Sequence, residues 1–185
     1  MRTFIAIELD PGIKRSLSEL VGRLKKVGPE GTSWVREAGM HLTLKFLDEI
    51  DDSRSEAVSR AMDEAVLAGR PFPLQLRGTG YFPNARFPRV LWVGTAPSAE
   101  LDALAARLED GLAAVGFERE TRPFHPHLTL GRVRSASKVR DVVTELDLQK
   151  NADFGTMTVM KITLFRSVLG PSGAEHSVLR ESFLP

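Results

Sequence analysis

The sequence predicts an α+β fold of mainly antiparallel sheets, built as two copies of one lobe related by an approximate two-fold axis. Three observations carry that prediction. Strand-like and helix-like segments alternate along the chain with no linker or low-complexity stretch between them. The stretch His41-Leu42-Thr43-Leu44 returns as His127-Leu128-Thr129-Leu130, an offset of 86 residues (127 minus 41), close to half of the 185 residues. Each copy is followed by a helix pattern and then by further strand. A chain of this length fits a single two-lobed domain, residues 1–185, with one motif at 41–44 and one at 127–130. Two copies are too few for a solenoid.

Each element has its own local reason. "TFIAIEL" (3–9) is rich in apolar and β-branched residues and predicts a buried strand. Asp10 with Pro11 signals a helix start, Leu17, Leu20, Val21, Leu24 and Val27 follow at helical spacing, and Gly28-Pro29 stops it. Trp34-Val35 predicts a short strand and "HLTLKFL" (41–47) a longer one. Ser53 with Glu56 forms a capping-box pattern for a second helix whose apolar face is Ala57, Val58, Ala61, Met62, Ala65 and Val66, ending at Gly69. "FPLQLRG" (72–78) and "RVLWVGT" (89–95) predict two strands joined by the loop "TGYFPNARFP". A third helix spans about 98–115, with Leu101, Leu104, Leu108, Leu112 and Val115 on one stripe. "HLTLGRV" (127–133) predicts a strand and 137–148 a fourth helix. "MTVMKITLFRSVL" (157–169) and "EHSVLRESF" (175–183) complete the chain as strands joined by the turn "GPSG".

Composition narrows the function classes. Apolar residues make up 42% and charged residues 26%, the balance of a soluble globular chain, and no apolar run is long enough to cross a bilayer. The opening "MRTFIAIELD" stays apolar too briefly for a signal-peptide core. With no cysteine there is neither a disulfide nor a thiolate metal site, and a cytoplasmic address is the default. A net charge of +1 speaks against a protein that coats long nucleic acid, and leaves room for an enzyme that grips one or two phosphates.

Successive side chains of a strand point to opposite faces. His41 and Thr43 therefore share one face, with Leu42, Leu44 and Phe46 on the other. The same parity pairs His127 with Thr129 and sets Leu128 and Leu130 behind them. Two imidazoles facing a common groove suit in-line displacement at phosphorus. One takes a proton on the entry side and the other supplies one on the exit side, both within reach of a pKa near 6.5. Two threonine hydroxyls can donate hydrogen bonds to the non-bridging oxygens. This chemistry requires no metal and no cofactor.

On these residues the chain resembles the bacterial and archaeal RNA 2′,3′-cyclic phosphodiesterases, also called 2′-5′ RNA ligases, of the two-histidine phosphoesterase superfamily. The resemblance covers nearly the whole chain through "FIAIEL", "W…HLTLKFL", "G-YFPN…RVLWVG" and "PHLTLGR", and both copies of the His-x-Thr-x signature are intact. It implies a bilobal arrangement around a central groove, with helices outside and the two motifs facing each other. It further implies His41 as the general acid that protonates the leaving 3′ oxygen, His127 as the general base that activates water, and Thr43 and Thr129 as phosphate ligands. The implied product is a 2′-phosphomonoester, with 2′-5′ joining of RNA ends as the reverse reaction. The implied partner is RNA with a 2′,3′-cyclic phosphate end, tRNA fragments included, or a small cyclic phosphate, and the expected working form is a monomer.

Arg132 is a further substrate-contact candidate, provided the strand changes course near Gly131, since strict alternation would turn it away from His127. Tyr81 and Phe82, expected in a loop, are candidates for stacking on a terminal base, as are Trp34 and Phe46, although Phe46 has core parity. His125 precedes Pro126 and reads as a structural or exposed histidine, and His176 receives no role. Three alternatives stay open: a phosphodiesterase acting on small cyclic nucleotides or ADP-ribose cyclic phosphate, a metal-dependent hydrolase with both motif histidines as ligands, and a non-catalytic RNA-end binding protein.

Overall fold

The structure, a computed structural model, describes residues 2–170 and 173–185. Within them two antiparallel sheets are formed. The first has the order β3 (His41–Glu49), β1 (Arg2–Glu8), β8 (Lys161–Gly170), β9 (Gly173–Phe183). The second has the order β2 (Thr32–Trp34), β6 (His127–Val133), β5 (Val90–Thr95), β4 (Phe72–Phe82), β7 (Asp153–Val159). The halves of the chain are related as the repeat predicts. β1 is flanked by the motif strand β3 and by β8, while β5 is flanked by the motif strand β6 and by β4. β8 and β9 come from the second half and β2 and β4 from the first, so each sheet is completed by two strands from the opposite half.

Helices α1 (Pro11–Val27) and α4 (Arg140–Leu148) pack on each other and against β7 and β4 respectively; α2 (Asp52–Leu67) packs on α3 (Ala99–Ala114) and against β8 and β9. The buried stripes are those the spacing predicts: Leu17, Leu20, Val21 and Leu24 in α1, and Leu101, Leu104, Leu108 and Leu112 in α3. They meet Ile5, Ile7 and Leu42 of one sheet and Leu74, Leu76, Leu91, Leu128 and Leu130 of the other in one continuous core. Truncating any of these leucines to alanine costs about 2–5 kcal/mol. Phe4, Ala6 and Phe165 form a separate small cluster on the opposite face of the first sheet, the face of the site.

The structure revises several boundaries. The capping residue of α2 is Asp51, whose carboxylate accepts from the Arg54 N–H, while Ser53 sits inside the helix and donates to that same carboxylate. The run 157–169 is two strands, because the chain passes from the second sheet to the first at Met160. Its continuous apolar pattern could not reveal a change of sheet. β4 continues to Phe82, so Tyr81 and Phe82 are strand residues and not loop residues. The fourth helix begins at Arg140, preceded by a short 3-10 turn over Ala136–Lys138. Val27 and Val115 lie exposed at their helix ends and do not join the buried stripes. The predicted turn "GPSG" falls in part on residues 171 and 172, outside the described residues.

Candidate active site

Strands β3 and β6 carry the two motifs and lie in contact with each other. In both, the fourth motif residue is an unpaired bulge. Ile5 pairs with Lys45 and Ala6 with Thr43, which leaves Leu44 without a partner; Leu91 pairs with Gly131 and Trp92 with Thr129, which leaves Leu130 without one. Up to the bulge the alternation holds, with Leu42 and Leu128 buried and the histidines and threonines on the other face. Beyond it the parity reverses, as an inserted residue must make it do.

The reversal decides two residues. Phe46, which strict alternation sends to the core, lies 65% exposed on the histidine face, paired with Phe4 across the strands and with ring centroids 6.1 Å apart. Arg132, which strict alternation sends away from His127, comes round to its side, and its positive charge bears on that imidazole. Phe46 and Arg132 thus occupy equivalent positions in the two copies.

His127 is held by a specific contact. Its Nδ1 lies 2.7 Å from the backbone carbonyl oxygen of His125. A carbonyl only accepts, so Nδ1 carries the proton and Nε2 keeps its lone pair. Pro126 confines His125 to extended backbone geometry, which keeps that carbonyl in place. Around His127 stand Phe82, ring centroids 5.1 Å away and edge-on, and Trp92 at 6.3 Å. The His125 ring lies edge-on to both Phe82 and Trp92 at 5.3 Å.

His41 has different neighbours. It stacks on Phe4 at 4.6 Å, and Phe4 stacks in turn on Phe165 at 5.2 Å. His176, on β9, stands edge-on to His41 at 5.3 Å and to Phe4 at 5.1 Å. Burial beside these rings pushes the His41 pKa down to about 4, aided by the charges of His176 and Lys14 and opposed by Glu8. Burial also lowers His127, against the opposing effect of its bond to His125, and lowers His176. Glu8, paired with His41 across the strands, accepts from the Thr163 hydroxyl at 3.2 Å and from Lys161 at 3.1 Å.

Thr43 and Thr129 are half-buried, and among the described residues neither hydroxyl is engaged in a hydrogen bond. The structure does not bring Tyr81 to this face: it packs against the core, and its hydroxyl donates to Asp147 at 3.0 Å. Trp34 packs against the core beside Gly131. Among the described residues no three His, Asp or Glu side chains stand together as metal ligands. Sequence reasoning missed His176, Phe4 and Glu8. Parity on β9 is visible in "EHSVL", but the register that sets His176 opposite Ser167 and beside Phe4 comes only from the fold.

All four histidines of the chain therefore lie in two pairs, one beside each motif. With this geometry in view, comparison with known proteins is direct. The family model of the 2′-5′ RNA ligase superfamily matches residues 13–171. The RNA 2′,3′-cyclic phosphodiesterase of Thermotoga maritima is 34% identical over 98% of this chain and 94% of its own, and that of Methanothermobacter thermautotrophicus 31% over 94% and 93%. Among solved structures, a Thermus thermophilus protein superposes with a TM-score of 0.79 at 31% identity, covering 100% of this chain and 98% of its own. Escherichia coli LigT complexed with 3′-AMP superposes at 0.80 and 28%, covering 99% and 97%. The chain belongs to the 2′-5′ RNA ligase superfamily.

Proposed function

We propose that this protein hydrolyses 2′,3′-cyclic phosphodiester ends of RNA to 2′-phosphomonoesters by acid–base catalysis between His127 and His41, without a metal. The observation that carries the reading is the hydrogen bond from His127 Nδ1 to the His125 carbonyl. It leaves Nε2 as a proton acceptor on a strand that also presents a free threonine hydroxyl. The names of the relatives, RNA 2′,3′-cyclic phosphodiesterases, support the substrate class.

In this reading Nε2 of His127 takes a proton from water as the water oxygen attacks phosphorus. The bond from phosphorus to the 3′ oxygen breaks on the opposite side, and His41 gives that oxygen a proton. The products are a 2′-phosphomonoester and a 3′ hydroxyl. Thr43 and Thr129 donate to the non-bridging oxygens, and Arg132 offsets their charge. A pKa near 4 leaves His41 neutral in the free protein at neutral pH. The anionic cyclic phosphate, once seated against the ring, favours the imidazolium that the acid role needs. When a 5′ hydroxyl takes the place of water, the same groups join it to the cyclic-phosphate end: its oxygen attacks phosphorus as His127 takes its proton, the bond to the 3′ oxygen breaks as His41 protonates it, and a 2′-5′ bond results. In this proposal the working form is a monomer, with residues 1–185 as one functional domain.

The test is turnover of an oligonucleotide with a 2′,3′-cyclic phosphate end in the presence of chelator, with the product identified as the 2′ or 3′ phosphate. A 2′-phosphate from the wild type is expected, with rate losses of about 10²–10⁴-fold in His41→Ala and His127→Ala. Unchanged turnover in either variant, or loss of activity with chelator, sinks the reading.

A further inference from the structure

A pocket of about 280 Å³ opens beside the His127 cluster, lined by Arg77, Gly78, Trp92, Gly94, His125 and Lys150 among others. It shares Trp92 and His125 with the rings around His127, so it adjoins the site without containing the motif residues. No acidic side chain lines it. The Lys150 ammonium has no ion pair among the described residues. Arg77 makes no ion pair among the described residues, and the Asp153 carboxylate on which its charge bears is already engaged by the Gln75 amide at 2.7 Å and the Gly155 N–H at 2.9 Å.

Two uncommitted cations at one pocket, in a chain whose charges otherwise nearly cancel, call for an anion. The volume is just under the ~300–1,000 Å³ typical of ligand pockets, so a phosphate with part of its ribose fills it and a whole nucleotide does not. Glycine on β4 lets the chain at Lys150 approach the strand that carries Arg77. Gly78 sits at φ +75, and a side chain at that position would meet the Lys150 carbonyl at 2.7 Å.

We propose that this pocket is a second phosphate subsite, in which Arg77 and Lys150 bind the 5′-phosphate of the nucleotide that carries the cyclic end. In an RNA strand that group is the phosphodiester one residue upstream. The inference rests on the proposed cyclic phosphodiesterase activity and adds a requirement to it: the enzyme grips an RNA end by two successive phosphates, and a bare nucleoside cyclic phosphate is a poor substrate.

The experiment compares three substrates with one base: a nucleoside 2′,3′-cyclic phosphate, the same compound with a 5′-phosphate, and a dinucleotide ending in the same cyclic phosphate. For the wild type, the 5′-phosphate and the dinucleotide are each expected to raise kcat/KM about tenfold or more, chiefly through KM. Arg77→Gln combined with Lys150→Gln, both exposed in the free protein, removes that advantage and leaves turnover of the bare nucleoside compound unchanged. The salt dependence of kcat/KM for the 5′-phosphorylated substrate flattens in the same variant. A wild type indifferent to the 5′-phosphate, or a double variant that keeps its full preference, overturns the subsite alone. An advantage confined to the dinucleotide assigns the contact to the second nucleoside and overturns the phosphate assignment. If the wild type turns over none of the three, the cyclic phosphodiesterase reading falls and the subsite falls with it.

Discussion

At the scale of single residues, near-symmetry of the motifs conceals unequal histidines. His127 is anchored by a carbonyl that fixes its tautomer, whereas His41 is packed face-on against Phe4 with His176 at its edge. Both imidazoles are harder to protonate than a free one, since burial disfavours the cation. The limbs of the kcat/KM profile, which report the free enzyme, are therefore expected below pH 6.5, with one near 4 from His41. His176→Gln removes a positive neighbour of His41 and lets its pKa rise, so the limb that His41 sets moves to higher pH. A profile unmoved by that substitution would show that His176 does not act on His41. The sequence made the four motif residues legible because two copies in matched phase are a far rarer coincidence than one. It could not expose His176, whose place depends on how β9 registers on β8.

At the scale of elements, glycine and the bulges set where the rings lie. A Cβ on Gly80 would stand 2.3 Å from the Trp92 indole, so the indole lies across this strand only because the position is glycine. Gly80→Ala is expected to cost about 1–3 kcal/mol, read as a lower denaturant midpoint, and to shift tryptophan fluorescence as the ring moves off the strand. An unchanged midpoint and spectrum would mean that the indole is not held there. Most elements were readable from their periodicity, since apolar stripes such as Leu101-Leu104-Leu108-Leu112 have one helical solution. The bulges were not. An inserted residue leaves no mark on hydrophobic spacing when the residue is itself leucine, which is why Phe46 reads as core in the sequence and stands exposed in the fold. The Asp51 cap escaped for a related reason, as "DDSRSE" offers several capping residues within three positions.

At the scale of the whole molecule, the halves are interleaved. β4 leaves the first half to lie between β5 and β7, and β8 leaves the second half to lie between β1 and β9. A fragment ending in the β4–β5 loop would lack β8 and β9, and the remaining fragment would lack β4 and β2. Neither fragment is expected to give a cooperative unfolding transition alone, while the two mixed together recover one. A cooperative transition from either fragment by itself would contradict this. The alternating pattern made the class of fold legible, but strand exchange was hidden, because hydrophobic periodicity records which face of a strand is buried and not beside which strand it lies.

The paired bulges at Leu44 and Leu130 have one more effect. A groove between two identical walls would accept a strand lying either way round. By turning an aromatic ring inward on one side and a guanidinium inward at the matching place on the other, the bulges give the two walls different tastes. Under the proposed activity, an RNA end entering between them meets a stacking surface on one side and a charge on the other, so its 5′ and 3′ directions are not equivalent there.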